Sequence, residues 1–255
     1  MQKIRHSYLR MRWRILPLFF LISSFSAQAA ITLGLTRTIV TGDDNSGSVQ
    51  VKNEGSRPAL IQTWIDNGHG EMDKPPESIQ VPFAIDTPVF RLEGKKAKRV
   101  RIFFTGKGRS LPSDRESLFW LNVLEVPPKS EQQGAPANEV QIAFQSRTKL
   151  FFRPKAIPSG AYQVEKLIRF ELISGNKLKI TNPTPYYVTF MTLEISRNNG
   201  TQTLPLVVMP DDMIKPKASV TVPIQTPYTY QTGEAKVRFA VIDDYGSTLQ
   251  NEQSL

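Results

Sequence analysis

From Ile31 onward no stretch of this chain sustains a 3.6-residue hydrophobic period with helix caps, which argues against a helical core. Short alternating runs stand there instead: "SVQVKN", "ALIQTWID", "PVFRLE", "KRVRIFF", "SLFWLNVLEV" and "VQIAFQSRTKLFF". Turn-forming stretches separate them, among them "TGDDNSG", "DNGHG", "GKGRSLPSD" and "PPKSEQQGAPAN". That spacing predicts β-sandwich architecture. The stretch "RPKAIPSG", Arg153 to Gly160, then marks a boundary with Pro154, Pro158 and Gly160. Beyond it the strand pattern resumes in "KLKIT", "YYVTFMTLEI", "SVTVPI" and "AKVRFAVID". The expected fold is all-β in two domains, residues 30–153 and 154–255.

Residues 1–29 do not share this pattern. Lys3, Arg5, Arg10, Arg12 and Arg14 precede "ILPLFFLISSF", and "AQA" follows at Ala27 to Ala29. A charged region, a short apolar region and a small-residue cleavage site together predict a secretory signal peptide. Its apolar run is about ten residues, against roughly 20 for a bilayer span, so no integral membrane segment is expected after its removal. The whole chain has 32 basic and 23 acidic residues; without the five basic residues of the leader, 27 stand against 23, a net +4. That balance is too mild for a nucleic-acid footprint, which needs a dense basic stripe. The run "EGKKAKRVR", Glu93 to Arg101, is expected to be a solvated turn leading into a strand.

Composition also limits the chemistry. There is no cysteine and there are two histidines: His6 lies in the leader and His69 in the turn "DNGHGE". One histidine and no thiol cannot build a Ser-His-Asp triad, a Cys-His pair or a structural zinc site. No cofactor or metal is expected, and only carboxylate or lysine chemistry is left to an enzyme.

The segment Leu111 to Pro128, "LPSDRESLFWLNVLEVPP", is more specific. It resembles the signature of the periplasmic pilus chaperones of the chaperone–usher pathway, with Leu-Pro, Asp-Arg-Glu-Ser, an aromatic, Asn122 and a closing Val-Pro-Pro in place. "LTRT", "QTWI", "RLE", "TKLFFRP", "NPTPYYVT" and "DDYG" are similar to further family landmarks and follow in the family's order. The resemblance spans residues 30–246.

The resemblance implies two immunoglobulin-like sandwiches set as an L or boomerang around a cleft. It implies a non-enzymatic periplasmic protein whose partners are pilus subunits and an outer-membrane usher. A strand of the first domain would be lent to a subunit whose own sandwich lacks one, covering an apolar groove and open strand edges that invite aggregation. By position the lent residues are Val140, Ile142 and Phe144, which alternate with Gln141, Ala143 and Gln145. Burying all three would contribute roughly 5–9 kcal/mol before ordering costs. Taken without the resemblance, the same alternation describes an ordinary strand packing its apolar face on its own core.

The resemblance further implies two cleft cations, Arg37 in "LTRT" and Lys149 in "TKLFFRP", that hold the subunit's C-terminal carboxylate. It also implies an interdomain ion network of Glu116, Arg153 and Asp244, with Arg101 as an assistant. The connection from "EVPP" to "VQIAFQ" is about a dozen residues, which points to the short-loop subfamily serving thick, rod-like pili. The tail "STLQNEQSL" is short, so the last strand is the least defined element. Two other functions compete: a secreted immunoglobulin-like pilus component or adhesin, and a hydrolase using Glu116 and Asp244 as paired carboxylates. Whether the free protein self-associates to hide its strand is left open by the sequence.

Overall fold

A computed structural model of the chain describes residues 30–68, 74–108, 110–128, 142–161, 163–174, 176–197, 200–203, 212–224 and 235–255. Residues 1–29, expected to be a leader, and His69, Val140 and Gln141 lie outside the described residues.

The first half contains β1 (Ile31–Leu33), β2 (Arg37–Thr41), β3 (Ser46–Asn53), β4 (Ala59–Asp66), β5 (Phe83–Ile85), β6 (Val89–Leu92), β7 (Ala97–Phe104), β8 (Ser117–Val126) and β9 (Phe144–Arg153). They hydrogen-bond in the order β5-β7-β3-β2-β9-β8-β4-β6, with β1 added on β3. The expected sandwich is therefore one ladder folded over its core. β2 makes the join: it meets β3 only at Thr41↔Ser46 and then runs parallel to β9. Gly47 permits this crossing, since a Cβ there would lie 2.7 Å from the Ile39 carbonyl oxygen. Alternate residues fill the interior, among them Val40, Val49, Ile61, Val100, Leu121 and Leu150. Phe83 packs edge-on against Phe119 at 4.8 Å, and Phe104 stacks on Phe152 at 3.9 Å.

The run predicted as one strand from Val140 to Phe152 pairs only from Phe144 onward. The reason lies in its partner. Glu125↔Phe144 is the last β8–β9 pair, and β8 ends one residue later, before Pro127 and Pro128. Ile142 and Ala143 thus precede the ladder, because the chain opposite them has turned into prolines, which cannot donate to a ladder.

The second half opens with a single helical turn, α1 (Val164–Leu167), too short to leave a helical period in the sequence. β10 (Arg169–Ile173), β11 (Lys177–Asn182), β12 (Val188–Arg197), β13 (Gly200–Thr203), β14 (Met213–Ile214), β15 (Ala218–Pro223), β16 (Ala235–Ile242) and β17 (Thr248–Ser254) follow. They form one sheet β10-β11-β15 and another β13-β12-β16-β17, with β14 on β12. Leu178, Ile180, Phe190, Leu193, Val222, Val237 and Phe239 form the core between them. The short tail does form a strand: β17 pairs with β16 from Lys236↔Ser254 to Ile242↔Thr248. Among the described residues no helix is long and apolar enough to cross a membrane.

Candidate functional site

Even-numbered residues of β9 face the first core, as Leu150 and Phe152 show, so Gln145, Arg147, Lys149, Phe151 and Arg153 share the opposite face. Three cations thus lie in file on one strand. Asp66, only 1% exposed, receives Arg147 at 2.6 Å, Asn122 Nδ2 at 2.6 Å and the Gly68 amide at 2.6 Å. The Arg147 guanidinium also lies 4.2 Å from the Trp120 ring, and Gln145 donates to Asn122 at 2.9 Å.

At the other end of the strand, Arg153 ties the two halves together. Its Nε donates to Glu116 Oε1 at 2.8 Å, while Nη1 and Nη2 grip the two oxygens of Asp244 at 2.8 and 2.9 Å. Glu116 Oε2 accepts from the Tyr187 backbone N–H at 2.8 Å, and Asp244 accepts from that of Ala161 at 3.3 Å. The Tyr186 ring lies 4.9 Å below the guanidinium. Burial pushes the Glu116 carboxyl up, against the downward pull of Arg153 and the Tyr187 N–H. Burial opposes the Arg153 charge too, but Asp244 and Glu116 outweigh it and raise its pKa. The three residues of the expected network therefore meet. Arg101 does not join them: it is exposed on β7, with its guanidinium over the Phe103 ring.

Between these two ion groups stand Arg37 and Lys149, Cα partners in the parallel β2–β9 pairing. Lys149 is half-buried. Arg37 is not the surface charge that isolated residues of its type suggest, being 5% exposed. Its Nη1 donates to the Ile242 carbonyl at 3.1 Å, the Phe151 ring lies 5.8 Å away, and its Nε is buried without a hydrogen-bond partner. Burial pulls its pKa down, with Asp244, Glu116 and Asp243 opposing. The "DDYG" turn closes over this point. Gly246 there has φ +85°, and a Cβ would lie 3.0 Å from Thr36 Oγ1, so a side chain would push the turn off the entry to β2.

The edge of β9 changes character at Lys149. β2 covers it from Lys149 to Arg153, but from Phe144 to Thr148 no strand among the described residues pairs on that side. Ile142 and Phe144 are 59% and 52% exposed. They are not core residues of this protein. Val140 falls outside the described residues.

Sequence reasoning missed Asp66, Arg147, Tyr186 and Tyr187. The signal for Arg147 was available, since it lies two residues before Lys149 and so on the same strand face. The others come from strands and loops whose approach to β9 is not a local property.

Glu116 and Asp244 both hold Arg153 and backbone N–H groups, which leaves neither as a free acid or base. Among the described residues no group of His, Cys, Asp and Glu could hold a metal ion.

The chain is thus an all-β protein of two immunoglobulin-like domains that meet at an arginine-centred ion network, with one strand edge half-open among the described residues. Its family is that of the pilus-assembly chaperones, to which the chain belongs. Residues 30–158 match the N-terminal domain of the pili and flagellar-assembly chaperone PapD, and residues 163–253 match the C-terminal domain of the pili assembly chaperone PapD. The chaperone protein FimB/FhaD of Bordetella pertussis is 37% identical over 236 residues, covering 90% of each chain. The probable fimbrial chaperone YadV of Escherichia coli K12 is 34% identical, over 91% of this chain and 92% of its own. The crystal structure of the YadV chaperone superposes with a TM-score of 0.71, covering 89% of this chain and all of that one. A SafB chaperone in complex with the Salmonella enterica SafA pilin gives 0.68 at 27% identity, covering 89% and 97%. The family consists of chaperones and not of enzymes, which removes the hydrolase.

Proposed function

We propose that this chain captures pilus subunits in the periplasm by lending them the segment Val140–Thr148, and delivers them to an outer-membrane usher. The observation that carries this is the half-open edge of β9. Among the described residues its first five have a strand on one side only, two large apolar side chains stand exposed at its start, and the Arg37–Lys149 pair closes its end. Strand addition uses such an edge: backbone groups supply affinity, alternate side chains enter the partner's pockets, and a cation pair accepts a chain-end carboxylate.

Lys149 and Arg37 then set the register of the incoming strand. The Glu116–Arg153–Asp244 network holds the two domains at the angle that keeps the cleft open. Ion pairs of this kind often break even energetically, so orientation is their main contribution. Delivery to an usher rests on family membership.

Hydrogen exchange on the chaperone–subunit complex tests the proposal. Amides of Phe144–Thr148 that β8 does not engage should exchange fast in the free protein and be protected in the complex. Unchanged exchange across that segment would overturn the lent-strand reading. Sedimentation of the free protein shows whether the same edge pairs copies of the chain.

A further inference from the structure

Among the described residues the open half of β9, Phe144–Thr148, has a ladder on one side only, yet its register with β8 is unbroken. A strand so placed slips or frays easily unless its side chains fix it. Two of those side chains face away from the core, Gln145 and Arg147, and both are bound. Gln145 donates to Oδ1 of Asn122, the residue opposite Arg147 in register. Arg147 reaches further. Its guanidinium passes over the Trp120 ring of β8 and grips Asp66 of β4, with Nε on Oδ2 at 3.2 Å and Nη2 on Oδ1 at 2.6 Å. The open strand is thus tied to one two places away, about 10 Å across the sheet.

The anchor itself is fixed. Asp66 Oδ1 accepts from the Gly68 amide in the turn after β4, and Oδ2 accepts from Asn122 Nδ2. Asn122, which the signature segment carries, therefore uses both ends of its amide and links Asp66 to Gln145. Asp66 and Asn122 are fully buried, and the Arg147 side chain is 20% exposed. The Arg147 charge is committed to Asp66 and not displayed to a partner.

On the reading of β9 as the lent strand, we propose that Arg147 is a positioning residue for subunit capture: its grip on Asp66 holds the open half of β9 extended and in register before a subunit arrives. A slip of one residue would turn Ser146 or Thr148 toward Asp66 and strip that buried carboxylate of its cation. The slip then breaks a buried ion pair as well as a ladder. The same grip keeps Phe144 on the opposite face, where a partner's apolar pocket can take it. Preorganisation of this kind raises the fraction of molecules ready to bind, and so speeds association without prolonging the complex. Once bound, the subunit supplies the second neighbour itself. Lysine cannot replace Arg147, since an ammonium has neither a two-point grip on a carboxylate nor a flat face to lay on Trp120.

The test compares the wild-type protein with Arg147→Lys, which keeps a positive charge beside Asp66. The probe is the pilus subunit that co-purifies with the wild-type protein, separated in urea and diluted into free chaperone. Association should slow at least tenfold in the variant, while dissociation changes less than twofold and the urea midpoint of the free protein stays the same. In the free variant, amides of Phe144–Thr148 that β8 engages should exchange at least tenfold faster, with those of β12 and β16 unchanged. Equal association and equal exchange in the two proteins overturn the proposal. So does slower association that comes with a lower urea midpoint and faster exchange throughout, because Arg147 would then serve the fold alone. If Arg147→Lys does not fold, Asp66→Asn combined with Arg147→Gln removes both charges together, and the same measurements decide. A wild-type protein that takes up no subunit defeats the lent-strand reading and the proposal with it; equal uptake by wild type and variant defeats the proposal only.

Discussion

Arg37 and Lys149 are Cα partners in the one parallel strand pairing among the described residues, so two cations stand side by side on a single sheet face. Their surroundings differ. Arg37 is buried against Phe151 and donates to the carbonyl of Ile242, whereas Lys149 is half-buried. The two substitutions should therefore separate. Lys149→Ala is expected to keep stability within about 1 kcal/mol of wild type and to abolish subunit capture. Arg37→Ala should abolish capture and also cost about 1–3 kcal/mol, because the part-buried Ile242 carbonyl loses its donor. Urea melts paired with co-purification from periplasm measure both effects, and full capture by the double variant would remove the pair from the site.

The exposed apolar residues before and within β9 give a sharper test. Ile142→Asp should leave the free protein within about 0.5 kcal/mol of wild type, since a 59% exposed side chain touches little. Subunit capture should be lost, because the carboxylate would enter an apolar pocket unpaired. Ala143→Asp, on the opposite parity, should reduce capture much less. Gln145 is a poor control, since its amide is bonded to Asn122. A collapse of stability with Ile142→Asp would return this segment to the protein's own core.

The arginine network should respond asymmetrically. The Glu116 side chain is 2% exposed and that of Asp244 24%, so loss of the Glu116 charge leaves the deeper gap. Glu116→Gln is expected to destabilise by about 3–5 kcal/mol, the range for breaking a buried pair, and Asp244→Asn by less. Both should alter the angle between domains in solution scattering. If stability, scattering and pilus assembly all stay unchanged, the network has no orienting role.

Processing is open to direct measurement. N-terminal sequencing of the periplasmic protein is expected to start at Ala30 or Ile31, the positions that "AQA" specifies. Retention of Arg14 would contradict export as a free periplasmic protein.

Particular residues show where sequence reading stops. The alternation through Phe144 and Leu150 identifies the strand, because period 2 is a local consequence of the pleat. It does not show that the ladder begins at Phe144, which depends on where β8 runs into Pro127 and Pro128. Arg101 and Arg153 look alike in sequence, both basic residues on or ending a strand. One stacks on Phe103 in the open and the other lies between two carboxylates.

By itself the sequence determined the all-β pattern, the lack of cysteine, the charged and apolar pattern of residues 1–29, and the resemblance that proposed roles for Arg37, Lys149, Glu116, Arg153 and Asp244. The tertiary structure alone decided that Glu116 and Asp244, 37 and 91 residues from Arg153, converge on one guanidinium. It alone buried Arg37 beneath Ile242, and it alone left the first half of β9 with a single neighbour among the described residues. The physical reason is range. Strand propensity, turn chemistry and leader composition act over a few residues, whereas burial, ion pairing and open edges depend on which distant segments the folded core brings into register.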